Sequence, residues 1–317
     1  MCVSTKFILN DTIMPEANID WNVMIKKRGG MPTTYTHYCF GRRCINYLPE
    51  EAKTAVLAYR DTYDIAVHGP DIFFYYKPFR PNPVNRCGSE LHRKPARGFF
   101  ENCARVLSAN TDKREILLSY IFGFLSHFVL DSTCHSYVER KRAASQISHN
   151  RIETEYDAHL MRRSGIAYPS KWDRTSLLHP TQEIADALAL LYPFDAHIMY
   201  KVICSQISSM RNFYSPNGVR RAIYTKIIQL LHIPGHFDDL FIHDDELPAC
   251  RDSNLRLDKL MSLAEKRYQR LAENLWAYLQ GDGELDPYFE HDFEEWPDFM
   301  SIPVFSAEEE KNYEVKE

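Results

Sequence analysis

The sequence predicts an all-α protein, a multi-helix bundle, on three observations. From Pro49 onward apolar residues recur at helical intervals, no stretch of convincing length alternates apolar with polar residues, and no strands alternate with helices as a βαβ fold requires. With 317 residues, 44% of them hydrophobic, the chain can bury a sizeable core.

Residues 1–30 read as an N-terminal extension, neither a packed element nor a secretory signal: no continuous apolar region follows Lys6 and no small-residue cleavage site closes the stretch. KKRGG stands just before Met31. Lys, Arg and Gly codons can all be made of purines, so one expectation is that this is a translated ribosome-binding site and that translation begins at Met31. A helical domain is expected over 31–281. Pro49-Glu50-Glu51 makes a good first turn, with proline early and acids at the positive end. Ala55, Tyr59, Tyr63 and Ala66 follow at helical spacing until Gly69-Pro70 stops the helix. The segment 78–95, with Pro78, Pro81, Pro83, Gly88 and Pro95, reads as a loop. Helices are then expected over 96–109, 112–141, 148–164, 181–192, 194–213, 217–232 and 254–280. The longest apolar stretch, Ile116 to Leu130, is interrupted by Ser119, Ser126 and His127, and a bilayer needs about 20 apolar residues, so no transmembrane span is expected.

Residues 282–317 hold thirteen acids and two lysines, a net of −11 that leaves +6 on residues 1–281 of a chain whose overall charge is −5. Such an acidic tail is ordinarily solvated and mobile. The competing expectation is a tail folded over a cationic or metal-bearing cleft, and Trp296, Phe299 and Phe305 suggest that parts of it dock. Eight cysteines occur without a CxxC pair, which fits reduced thiols and, with no targeting segment, a cytoplasmic protein.

The chemistry concentrates in HFVLDSTCHSYVER, residues 127–140. His127, Asp131 and His135 stand at i, i+4 and i+8, one side chain per turn on a single helical stripe that follows an apolar run. Groups of this kind resist burial unless something pairs with them. His37 in TTYTHYCFG, Asp71 in HGPDIFFYY, His92 in GSELHRKP, and His149 with Glu153 in SHNRIETEYD add further imidazoles and carboxylates. Each alone fits a hydrogen-bonded core residue or a surface pair. Together they suit zinc, which takes imidazole nitrogen and carboxylate oxygen, whereas oxygen-seeking magnesium or calcium would not select so many histidines.

In this order, THYCFG, HGPD, ELHRKP, GFLSHFVLDSTCHSY and SHNRIETEYD resemble the zinc-dependent phospholipase C family, which shares an all-α fold and a trinuclear zinc site with the S1/P1 nucleases. The resemblance covers about residues 31–165. It implies up to three zinc ions: one held by Asp71, His92, His127 and Asp131; a second sharing Asp131 and also taking His37; a third held by His135, His149 and Glu153. In the family the mature N-terminal residue also ligates the ion shared with His37, and a start at Met31 with methionine removed would make Pro32 that residue. It further implies hydrolysis of a phosphodiester by metal-activated water, with Asp71 as general base if one of its oxygens stays free. The substrate class would be a phospholipid, nucleotide or nucleic acid, with peripheral membrane contact in the first case.

Two departures narrow the substrate. Choline-preferring members place an aromatic directly after the Asp and others before the following His; here Ile72 and Ser89 hold such positions, so a choline cage is not supported. Arg86, Arg93, Lys94 and Arg97 read as solvated loop cations or as a phosphate-steering patch. Phe73, Phe74, Tyr75 and Tyr76 read as core before they read as a lipid or base platform. His68 and His159 flank the motifs and are expected to orient ligands. Cys134, three residues past Asp131, reads as a packed thiol rather than a ligand. An S1/P1-like nuclease and a non-catalytic metal-stabilised protein are the alternatives. The adjacent His243-Asp244 and His291-Asp292 pairs lie in polar segments without the accompanying ligands of an HD phosphohydrolase.

Overall fold

A computed structural model describes residues 34–315 apart from 79, 231–236 and 295; Met31 and Pro32 lie outside the described residues. Among the described residues there are twelve α-helices and no strand, as the apolar periodicity predicts. They are α1 (Tyr35–Cys44), α2 (Glu50–Ala58), α3 (Arg60–Ala66), α4 (Pro83–Arg93), α5 (Arg97–Ala109), α6 (Arg114–Ser145), α7 (His149–Arg163), α8 (Gln182–Leu191), α9 (Ala196–Asn212), α10 (Val219–Leu230), α11 (Arg251–Leu279) and α12 (Ala307–Asn312).

Helix α6 is the axis. Its 32 residues, about 48 Å at 1.5 Å per residue, are buried almost continuously from Ile116 to Thr133. A helix apolar on every side belongs at the centre of a bundle, and α1, α2, α3 and α11 pack around this one. It is long and apolar enough to cross a membrane, but its apolar window is wholly buried within the protein. Gly123 lets α3 close onto it: a Cβ there would lie 2.6 Å from the Ala66 Cβ. Phe128, fully buried, packs on Phe100, Phe289 and Phe293; truncating it to Ala costs about 3–5 kcal/mol by the usual cavity argument.

Three expectations are corrected. The segment 78–95 is not all loop, because Asn82 caps α4 by accepting from the Asn85 N–H (3.0 Å) and Pro83 occupies the first helical position, where its missing N–H costs nothing. The helix expected from Pro49 to Gly69 breaks at Tyr59, whose carbonyl accepts the Ser119 hydroxyl of α6 at 2.8 Å. And the acidic tail is folded onto the bundle. Phe289 and Phe293 are buried, and Glu310 of α12 forms a two-toothed pair with Arg256 of α11 at 2.7 and 3.0 Å, both side chains buried. The Tyr137 and Tyr313 rings flank that guanidinium, 4.8 and 4.1 Å from its carbon. Burying a paired charge needs such full satisfaction.

Candidate metal centre

His37 rides on α1, whose start has no side-chain cap of its own. Asp157 of α7 takes that role from across the bundle. Its carboxylate accepts from the N–H groups of Thr34 and Tyr35 at 3.2 Å each and of Thr36 at 2.8 Å, and from the Thr36 hydroxyl at 2.7 Å. An anion suits the positive end of a helix. Burial pushes the Asp157 pKa up, opposed by Arg174 at 3.9 Å and by these donors.

Asp71 lies on a short 3-10 helix, Gly69–Tyr75, that presses against α6. Gly69 has φ +48°, and a Cβ there would fall 2.2 Å from His127 Cδ2. Only glycine combines that conformation with that closeness. His92, in the last turn of α4, reaches Asp71 Oδ1 through Nε2 at 2.8 Å while its Nδ1 bonds the Gly88 carbonyl at 2.8 Å.

The stripe on α6 then gathers these elements. His127 Nε2 lies 3.0 Å from Asp131 Oδ2 and 3.9 Å from Asp71 Oδ2, and His37 Nε2 lies 3.4 Å from Asp131 Oδ1. His37, Asp71, His127 and Asp131, all buried, offer ligand atoms within 4.8 Å of one another. One turn on, His135, His149 and Glu153 form a second such group. Asp131 joins the two, its Oδ2 3.9 Å from His135 Nε2. His92 stands beside the first group, attached through Asp71, rather than within it.

The donor set fits zinc. His127 Nε2, 3.0 Å from Asp131 Oδ2, is buried without an aligned hydrogen-bond partner among the described residues, a cost that a cation bound between the two would relieve. His92 and His135 each give Nδ1 to a backbone carbonyl, Gly88 and Phe293, and His149 gives it to Glu139, so that Nε2 of each faces a carboxylate. Nitrogen and oxygen lone pairs facing one another need a proton or a metal between them.

The charges agree. Burial works against ionisation of Asp131, yet His127, His135 and His37 hold it well below the usual carboxylate range. Burial lowers His135, but Asp131 and Glu153 overcome this and raise it to about 10. His149 is likewise raised to about 9 by Glu153 and Glu139 against its burial, and Glu153 falls to about 2 between the two imidazoles despite its burial. Burial and the neighbouring His127 lower His37.

Residues 36–201 match the family described as zinc dependent phospholipase C. The chain belongs to the zinc-dependent phospholipase C family. It is therefore a zinc-dependent hydrolase of phosphodiesters, with the all-α architecture of that family. No curated protein and no solved structure matches the chain.

For this phospholipase C family member the remaining expectations resolve unevenly. His68 is buried beside the centre, its ring 6.5 Å from His37, and begins the turn that carries Asp71. His159 instead bonds Asp258 of α11 at 3.2 Å and stacks on Tyr156, so its role is in holding α7 to α11. Cys134 joins neither group, and burial raises its thiol pKa far above neutrality, which keeps the thiol protonated. Lys94 pairs with Glu90, Arg93 with the Ser89 carbonyl and Arg97 with Glu290, while Arg86 is exposed. Phe73 is core, but Phe74 lies against the His92 ring at 5.0 Å. His291 stacks on Trp296 and His243 pairs with Asp238, neither within a metal-type group.

Sequence reasoning missed Asp157, Glu139 and Phe293. Glu139 is simply the next turn of the stripe and was there to be read. Phe293 acts through its backbone carbonyl, which no side-chain pattern announces.

Proposed function

We propose that the hydrolytic centre is the group His37, Asp71, His127 and Asp131, with a further ion in His135, His149 and Glu153. One observation carries this: Asp131 faces imidazoles of both groups from a single turn of α6. The two groups account for two ions; the third that the resemblance implies would draw on Pro32, outside the described residues. Bound zinc supplies an acidified water and stabilises charge on the phosphoryl and leaving oxygens.

The chain's own groups do the rest. Asp71 takes the proton of the attacking water at Oδ1, and His92, whose Nδ1 is committed to Gly88, receives it at Nε2 across 2.8 Å. Asp131 aligns His37 and His127. Ile72, aliphatic and buried, follows Asp71 where a cage aromatic would stand, which supports a diester without a quaternary ammonium headgroup.

The natural substrate is read as a phospholipid or small phosphodiester met from the cytoplasm. Unpaired thiols at all seven described cysteines support a reducing compartment, and a cytoplasmic bacterial branch of the family is the corresponding placement. The test is elemental analysis by mass spectrometry on protein begun at Met31, with assays on phosphatidylcholine, single-stranded DNA and a generic aryl phosphodiester. Zinc with turnover of the aryl diester, and only poor turnover of phosphatidylcholine, is expected. Cleavage of single-stranded DNA alone would replace this reading with an S1/P1-like nuclease, and zinc without turnover of any diester would leave a metal-stabilised protein.

A further inference from the structure

The α6 stripe runs one turn past His135, to Glu139. Glu139 Oε1 lies 2.6 Å from His149 Nδ1, while His149 Nε2 faces Glu153 Oε1 at 2.9 Å. The imidazole is therefore bracketed, with one nitrogen turned outward to Glu139 and the other inward to the second group. A ring nitrogen that keeps its proton cannot ligate, and the acceptor on the far side decides which nitrogen that is.

We propose that Glu139 is a positioning residue: it holds the proton of His149 on Nδ1 and so reserves Nε2 for a divalent cation in the group His135, His149 and Glu153. This rests on the zinc reading of that group. The competing role is a plain helix-surface pair, because Arg142 also bonds Glu139 Oε2 at 2.7 Å. The burial argues against it. The His149 and Glu139 side chains are 20% and 14% exposed, whereas that of Arg142 is 50% exposed, and exposed pairs of this spacing contribute little. His135 supplies a parallel, since its Nδ1 is taken by the Phe293 carbonyl at 2.6 Å. Both imidazoles of the group are thus oriented by acceptors from outside it.

The test uses the full chain labelled with ¹⁵N-histidine, Zn²⁺ as the probe, and a chromophoric chelator as competitor. Glu139→Ala is expected to weaken zinc at this group by roughly 10–100-fold, as loss of such outer partners does, and to leave the His37 group filled. Glu139→Gln, whose amide oxygen still accepts from Nδ1, should stay close to wild type, and so should Arg142→Ala. In metal-free wild type a downfield Nδ1–H resonance of His149 should be present, and Glu139→Ala should abolish it. Unchanged zinc affinity in Glu139→Ala, a loss in Arg142→Ala equal to it, or absence of that resonance overturns the inference. Wild-type protein that takes up no zinc overturns instead the reading on which the inference rests.

Discussion

Asp131 and His135, one turn apart on α6, face each other across the boundary between two ligand groups, Asp131 Oδ2 being 3.9 Å from His135 Nε2 and 3.0 Å from His127 Nε2. A residue shared in this way ties the two halves of the centre into one unit. Asp131→Ala is expected to empty both, so zinc content falls by more than one equivalent and aryl phosphodiester turnover drops by more than the roughly 100-fold typical of outer-partner loss. Retention of full zinc content would make Asp131 structural.

The tail closes the same centre from outside. The Phe293 N–H donates to the His92 carbonyl at 3.0 Å, its carbonyl accepts from His135, and its ring lies 5.5 Å from His92 and 5.8 Å from His127. A chain ended at Gly281 should therefore lose zinc from the His135 group. Phe293→Ala keeps the carbonyl and should keep that zinc, while losing about 3–5 kcal/mol of stability. Equal zinc content in both variants would show that the tail does not orient His135.

Asp157 sets where α1 begins. Asp157→Ala leaves three buried N–H groups and Arg174 without their anion, at a cost of about 3–5 kcal/mol, and displaces His37 with the helix. Denaturant unfolding of metal-free protein should show the loss. A variant of wild-type stability with intact His37 placement would remove Asp157 from this role.

Asp258 gives a pH dependence distant from the metal groups. Burial would raise its pKa, but the His159 bond and the Arg163 charge hold it below its ordinary value. With the folded value below the unfolded one of about 3.9, its stabilisation is full above that pH and is lost as pH falls through the folded value. Asp258→Asn should lower Tm at pH 7 by on the order of 2 °C, and the difference should close as pH falls below about 3.9 and through the folded value. A gap that persists in acid would assign the effect to packing.

Much of this was legible in the sequence. The stripe at 127, 131 and 135 was visible because helical spacing and chemistry coincide, and α6 to α11 follow their apolar periods to within a few residues of the expected bounds. What was hidden depended on partners far along the chain. Helix α1 has weak local signals because its anchor is 121 residues away at Asp157. Helix α4 was hidden by its prolines, although Asn82-Pro83 is a helix-start signal. The acidic tail resembled a solvated segment because composition does not show that Glu310 meets Arg256, or that Phe289 and Phe293 find the core.

The Phe293 carbonyl also imposes an order of assembly in time. Ligands up to Glu153 emerge early in synthesis, but the group that orients His135 lies 140 residues later. At 5–20 residues per second that is a delay on the order of 10 s, during which the helices can already pack. The His135 group is therefore expected to mature last, after His37, Asp71, His127 and Asp131 have been synthesised and can meet zinc.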